Sequence, residues 1–362
     1  MSAIHIFNPS HDEALAANTP YYTAAKAAAV LEYDLAALPA WWACKDDIAL
    51  VPKGHALDGK CINGCLLTSA PDWGKVDHVH PWGWDAAVCL RLTRLGIPQD
   101  LLPTDLQLEK IRNLSSRRTS VEILKNVVAE TEQCIGESWW VTSSDEVKNL
   151  SAHFQSLVLK APWSSSGRGV FKVSADNIGV MLPRIERIIK RQGGIAVEPF
   201  YNRVMDFAFE FHVDKCGMTY NGISVFATSK TGAYIGNYVS DEERLKKRIP
   251  DELQERLPDV CRNLQRHLQR VYSQDYAGPL GVDMMVVESQ GKKYIHPCVE
   301  INLRQTMGNV SISLRSQLKS QHAVYKLRPV GETSKQELLL TPCAKRVEAI
   351  LLMGIPECLE YP

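Results

Sequence analysis

The chain has 362 residues, 45% of them hydrophobic, with 41 Lys and Arg matched by 41 Asp and Glu. That length suits two or three packed subdomains rather than one small core. The balanced charge favours neither nucleic acid nor an anionic membrane surface as a partner, and no apolar run is long enough to span a bilayer.

The first element, "AIHIFNP", reads as a buried strand ending at Asn8-Pro9, and "SHDEALAAN" as a helix capped by Ser10 or Asp12. "DIALVP" is a second strand, and "WDAAVCLRLTRLGIP" carries helical periodicity that stops at Gly96 and Pro98. Residues 1–105 are therefore expected to form a small α/β domain with a largely parallel sheet. Within it, His78 and His80 share a strand face, but no third ligand is near, so packing around Trp82 and Trp84 is expected instead of a metal. The turn after the first strand lies at its carboxyl end, where open α/β sheets bind ligands. Asn8, His11, Asp12 and Glu13 are accordingly candidate substrate contacts, for an ammonium group among others, with simple helix capping as the alternative.

A long helical tract follows from Thr104 to Glu132, with Arg117 and Arg118 in its middle. Residues 106–197 then alternate short strands and helices, as expected for an α+β subdomain. In "LVLKAPWSSSGRGVFKV", Lys160 ends an apolar strand, and Ser164, Ser165, Ser166 and Gly167 offer hydroxyls and backbone N–H groups to an anion. The loop joins two strands, so it is neither a strand-to-helix phosphate loop nor a dinucleotide fingerprint. Without a ligand it would be a hairpin with a lysine at its rim.

In "IAVEPFYNRVMDFAFEF", Glu198 precedes a linker through Phe200 and Tyr201 whose backbone can hold an adenine, and Asp206 is a candidate for ribose hydroxyls. Residues 198–330 read as mainly antiparallel sheet covered by the amphipathic helix "DELQERLPDVCRNLQRHLQRVYSQ". Here "GVDMMVV" buries Asp283 in an apolar strand, and the turn Gln290-Gly291 leads into "YIHPCVEINLR", which places Glu300, Asn302 and Arg304 at alternate positions. Two carboxylates facing each other in a buried sheet repel unless a cation joins them. Ligands that are all oxygen point to a hard ion such as Mg²⁺. The alternative is that Asp283 and Glu300 form salt bridges with Arg304 and Lys293. Residues 331–362 are expected to be a tail packing on the core, a strand or turn followed by a helix in "ELLLTPCAKRVEAILLMGIPE".

The order "LKAPWSSSGRGV", "VEPFY", "VDMMV" and "EINLR" resembles the ATP-grasp superfamily over about residues 105 to 315. The resemblance implies α/β and α+β architecture, an ATP-grasp fold preceded by a Rossmann-like α/β domain. It implies ATP and Mg²⁺ or Mn²⁺ as cofactors, with Lys160 on the phosphates and as a catalytic residue. Glu198 and Asp206 would hold adenosine, Asp283, Glu300 and Asn302 the metal, and Arg304 would be the catalytic arginine. Arg117 or Arg118 stands where the family often has a lysine, and Lys230 in "FATSKTGAY" is a further candidate for the γ-phosphate. The implied activity is a carboxylate–amine ligase that forms an acyl phosphate and then an amide or peptide-like bond. The alternatives are a small-molecule kinase or a non-catalytic nucleotide-binding module on the same fold. Partners would be small-molecule or peptide carboxylates and amines, with no nucleic acid and no membrane; association as a homodimer is left open. The ten cysteines sit singly in apolar segments, and the N-terminus lacks a basic start with an apolar region behind it, so a cytoplasmic protein with reduced thiols is expected.

Overall fold

The computed structural model describes residues 2–164, 169–229, 234–318 and 322–354. Ile4 and Ile6 bury strand β1 (Ser2–Ile6), which leads through a turn into helix α1 (His11–Ala17) and on to α2 (Lys26–Asp34). Strands β2 (Ile48–Leu50), β3 (Lys60–Ile62), β4 (Cys65–Thr68) and β5 (Val76–Pro81) complete a sheet of order β3-β4-β2-β1-β5. All of its pairings are parallel except that of β3 with β4, as the apolar runs predict. Neither Ser10 nor Asp12 caps α1 by its side chain: Ser10 makes no cap bond, and Asp12 is drawn off to Arg304. Helix α3 (Ala86–Arg94) does have a side-chain cap, Asp85 accepting from the Val88 N–H at 2.8 Å.

The long helical tract is two helices, α4 (Asp105–Leu114) and α5 (Arg117–Glu130). The break falls at Ser115-Ser116 because the Ser116 hydroxyl accepts from the Arg118 N–H and starts a new helix. Arg117 thereby becomes the first residue of α5. Strand β6 (Trp139–Val141), helix α6 (Ser144–Ser151), strands β7 (Leu157–Lys160) and β8 (Val170–Val173), helix α7 (Ile178–Gln192) and strand β9 (Ile195–Pro199) follow. The four strands form an antiparallel sheet, β6-β9-β7-β8, with its own core around Val147, Leu159, Ile185 and Val197.

The third sheet starts with β10 (Asn202–Asp214), β11 (Gly217–Thr228) and β12 (Tyr234–Ser240). Short helices α8 (Glu242–Lys246) and α9 (Asp251–Gln254) lead into the long α10 (Leu257–Tyr272), then the hairpin β13 (Gly278–Ser289) and β14 (Lys292–Asn302). After α11 (Met307–Ser313) come β15 (His322–Pro329), β16 (Glu337–Leu339) and β17 (Val347–Met353). The eight strands are ordered β14-β13-β10-β11-β12-β15-β17-β16. The period of two along β10 sorts its faces. Phe207, Phe209 and Phe211 pack on Leu264 and Leu268 of α10 behind the sheet, so Asp206, Ala208 and Glu210 occupy the front.

The C-terminal helix expected from "VEAILLM" is instead β17, paired along its length with β15. A seven-residue apolar run does not distinguish a strand from a buried helix by periodicity, and the neighbouring edge of the sheet decided the matter. The buried Asp34 at the end of α2 fixes this strand to the N-terminal domain, accepting from the N–H groups of Lys345, Arg346 and Val347 at 2.8, 2.9 and 2.9 Å. Among the described residues no helix is long and apolar enough to cross a membrane.

Candidate active site

The site is built on the β13–β14 hairpin. Gln290 and Gly291 both take positive φ, +52° and +71°, as a two-residue turn of this hand requires. Pairing runs in step from that turn to Met285 opposite His296, and a shift of two residues on β14 then brings Glu300, not Cys298, opposite Asp283. Burial, and then the charge of Glu300, push the Asp283 carboxyl up to about 7. Asn302 Nδ2 donates to Asp283 Oδ2 at 3.0 Å, and Asn302 Oδ1 accepts from Arg304 Nη2 at 2.8 Å. The same guanidinium grips Asp12 through Nε and Nη2 at 3.1 and 2.9 Å. Burial alone would raise Asp12, but Arg304, with His11 and Arg117 beyond it, holds it below the usual carboxylate range.

Arg117 points inward from the start of α5 and bonds three groups: the Ala161 carbonyl, the Ser164 hydroxyl at 2.8 Å and Glu300 Oε1 at 2.5 Å. Arg118, the other candidate, faces solvent and pairs with Glu122. The salt-bridge alternative therefore takes a different form from the one the sequence offered. Glu300 is paired with Arg117, and Lys293 goes to Glu252 at 3.3 Å.

Lys160 is 6% exposed, and its ammonium meets Glu198 Oε2 at 2.7 Å and the Val299 carbonyl at 3.0 Å. It is held inside, between β9 and β14, and is not the rim lysine of a hairpin. Tyr201 accepts from the Glu137 N–H at 2.9 Å and stacks edge-on against His296, whereas Phe200 is half exposed with the Lys172 ammonium over its ring. Asp206 stays within the sheet, accepting from Arg203 Nη1 at 3.0 Å and Thr228 Oγ1 at 2.7 Å; burial raises it despite those donors. Ser165, Ser166, Gly167 and Lys230 lie outside the described residues.

Of the four residues expected to meet substrate in the first turn, Asp12 alone borders the cavity beside Arg304. Asn8 donates to the Gly83 carbonyl at 2.8 Å and to Asp85 at 3.1 Å, and His11 lies 3.2 Å from the same Asp85 oxygen. This buried cluster ties the turn to the start of α3. Glu13 accepts from the Tyr22 hydroxyl at 2.6 Å.

Sequence reasoning passed over Glu210. It is 1% exposed on the front of β10, accepts from Thr306 Oγ1 at 2.9 Å and Asn309 Nδ2 at 3.0 Å, and is pushed up to about 8 by burial and then by Asp283. The signal was present in "FAFEF", where an acid interrupts a phenylalanine strand much as Asp283 interrupts "VDMMVV". Gly308 makes the approach possible, since a Cβ there would stand 1.9 Å from Glu210 Oε1.

Arg117, Glu210, Asp283, Glu300 and Arg304 line a cavity of about 450 Å³ together with Trp82 from the N-terminal domain, whereas Lys160, Glu198 and Asp206 are not among its lining residues. Among the described residues no three His, Cys, Asp or Glu side chains gather as a metal cluster. The donor set is two carboxylates and an amide, which fits a magnesium ion that takes its remaining ligands from water and phosphate and would not suit zinc.

Solved structures with the same architecture are biotin carboxylase from Campylobacter jejuni as its β,γ-ATP complex (TM-score 0.56, 10% identity, 97% of this chain and 87% of that one) and the biotin carboxylase domain of Hydrogenobacter thermophilus 2-oxoglutarate carboxylase with MgADP and bicarbonate (0.55, 11%, 98% and 86%). N5-carboxyaminoimidazole synthetase from Staphylococcus aureus with ADP matches at TM-score 0.51 and 11% identity, over 98% of this chain and 93% of its own. The chain has the ATP-grasp fold. No protein-family model and no curated protein matches the sequence. Within this fold the small sheet β6-β9-β7-β8 carries Lys160 and Glu198, the large sheet carries Glu210, Asp283 and Glu300, and Arg117 links Ser164 with Glu300.

Proposed function

We propose that the protein is an ATP-dependent carboxylate–amine ligase. The observation that carries the reading is the pairing of Asp283 with Glu300 on the cavity-facing side of the large sheet, beside Asn302 and Arg304. Arg117 offsets Glu300 but leaves Asp283 raised by desolvation and by its neighbour's charge, a repulsion that a divalent ion relieves, and an ion held by so few protein oxygens shares its shell with phosphates. Asp283, Glu300 and Asn302 would hold Mg²⁺ or Mn²⁺, which when bound supplies positive charge to the phosphoryl oxygens. Lys160 and Arg117 bring further cationic N–H groups to the phosphates, and Glu198 with the backbone of Phe200 and Tyr201 holds the adenosine. Asp12 keeps Arg304 in place.

In the first step a substrate carboxylate oxygen attacks the γ-phosphorus, the bond from phosphorus to the β–γ bridging oxygen breaks, and ADP leaves. In the second an amine nitrogen attacks the acyl carbon, the bond from carbon to the phosphoryl oxygen breaks, and phosphate departs as the nitrogen loses a proton. Arg304 donates to the oxyanion that forms between these events.

The test is ADP and phosphate release in the presence of acid and amine pools. Arg304→Ala is expected to lower kcat by about 10²- to 10³-fold, the usual cost of one oxyanion donor. Turnover at the unmutated rate, or a phosphorylated product in place of free phosphate, would contradict the ligase assignment.

A further inference from the structure

The front face of the large sheet changes character in the order of its strands. At β13 and β14 it is acidic, with Asp283, Glu300 and Asn302. At β11 and β12 it is neutral: Tyr234 donates to Asn237 Oδ1 at 2.5 Å and Asn237 Nδ2 to Ser224 Oγ at 2.7 Å, so these polar groups satisfy one another. At β15 it is apolar, where Leu327 lines the cavity together with Leu31 of α2, Trp82 and Met307 at the border of a buried cluster. All of these residues line one cavity. From Glu210 on β10 to Leu327 on β15 is three strand spacings, about 14 Å at roughly 4.8 Å each.

The cations among the described lining residues are Arg117 and Arg304, and each is already engaged by a carboxylate. Both are held at the acidic end of the cavity, so a second anionic group at the Leu327 end would have no other cation among the described lining residues beside it and would be desolvated against leucine and tryptophan. An uncharged apolar body there releases water from Leu31, Met307 and Leu327.

Building on the ligase reading above, we infer that the acid activated at this site is an elongated monocarboxylic acid whose far end is apolar. Its carboxylate lies at Arg304, and its body runs across β11 and β12 to the pocket of Leu31, Trp82, Met307 and Leu327. This direction leads away from the small sheet, leaving the Lys160 side to the nucleotide.

The experiment uses the full chain with MgATP and hydroxylamine as a generic amine, so that hydroxamate formation reports the acid alone. Octanoate and suberate are matched in chain length and differ by one terminal carboxylate; acetate lacks the body. Octanoate is expected to exceed both by at least tenfold in kcat/KM. Leu327→Asp and, on a separate element, Leu31→Asp are each expected to raise the KM for octanoate about tenfold or more, with the calorimetric heat of MgATP binding as the check that each variant is folded. Equal use of suberate or acetate, no hydroxamate from octanoate, or an unchanged octanoate KM in both variants would overturn the inference and leave the nucleotide reading standing. Absence of MgATP heat from the unmutated protein would overturn both.

Discussion

Glu210 and Asp283 both carry raised carboxyls, up to about 8 and about 7, for the same reason: each is buried and faces another acid. In the folded chain they keep protons that the unfolded chain releases near pH 4. Their contribution to stability is therefore complete below that range and is lost as pH rises through 7 to 8. Urea denaturation without ligand is expected to give a lower midpoint at pH 8.5 than at pH 5.5, and Glu210→Gln is expected to shrink that difference; an identical pH dependence would place the titration elsewhere. Lys160 makes the complementary case. Removing it leaves Glu198 buried without its cation, and Lys160→Ala is expected to cost about 3–5 kcal/mol by the same denaturation. The double change Lys160→Met with Glu198→Gln removes both charges and is expected to recover most of that loss without recovering nucleotide binding, which separates the structural role of the pair from its proposed contact with phosphate.

At the level of elements, legibility in the sequence tracked how local the cause was. The Gln-Gly turn that joins β13 to β14 could be read residue by residue, although counting from it puts Cys298 opposite Asp283, and the irregularity between Asp283 and Met285 is what brings Glu300 there. The inward turn of Arg117 could not: it depends on Ser116 ending one helix tract and starting another, which places two neighbouring arginines on opposite sides of the wall. Likewise "VEAILLM" became a strand because β15 offered an unpaired edge, a fact that its own residues do not contain. The first turn misled for another reason, since Asn8 and His11 look free in sequence and are consumed by Asp85, 77 and 74 residues away. The Asp34 clamp is equally long-range, 311 to 313 residues from its partners. Asp34→Ala leaves three N–H groups without their carboxylate and is expected to lower unfolding stability by about 2–4 kcal/mol, with Asp34→Asn intermediate. A loss below about 0.5 kcal/mol would mean that water replaces the clamp at no cost.

Across the whole molecule, three sheets bring residues from the two ends of the chain to one cavity. Asp12 comes from α1 and Trp82 from just past β5, Ser164 from beyond the end of β7, and Glu210, Asp283, Glu300 and Leu327 from the large sheet. The order of these segments was readable because each carries an acid or a base in an apolar strand, and such an interruption needs a physical cause. Their convergence on a single space, and the addition of Glu210, required the fold. The account depends on Asp283 and Glu300 sharing a divalent ion with a triphosphate. Calorimetric titration with ATP, in Mg²⁺ and in EDTA, on the unmutated chain and on Glu300→Gln tests this directly: heat is expected only with Mg²⁺ and only when Glu300 is present. Equal heats with and without the metal, or Mg²⁺-dependent binding that persists unchanged in Glu300→Gln, would contradict it.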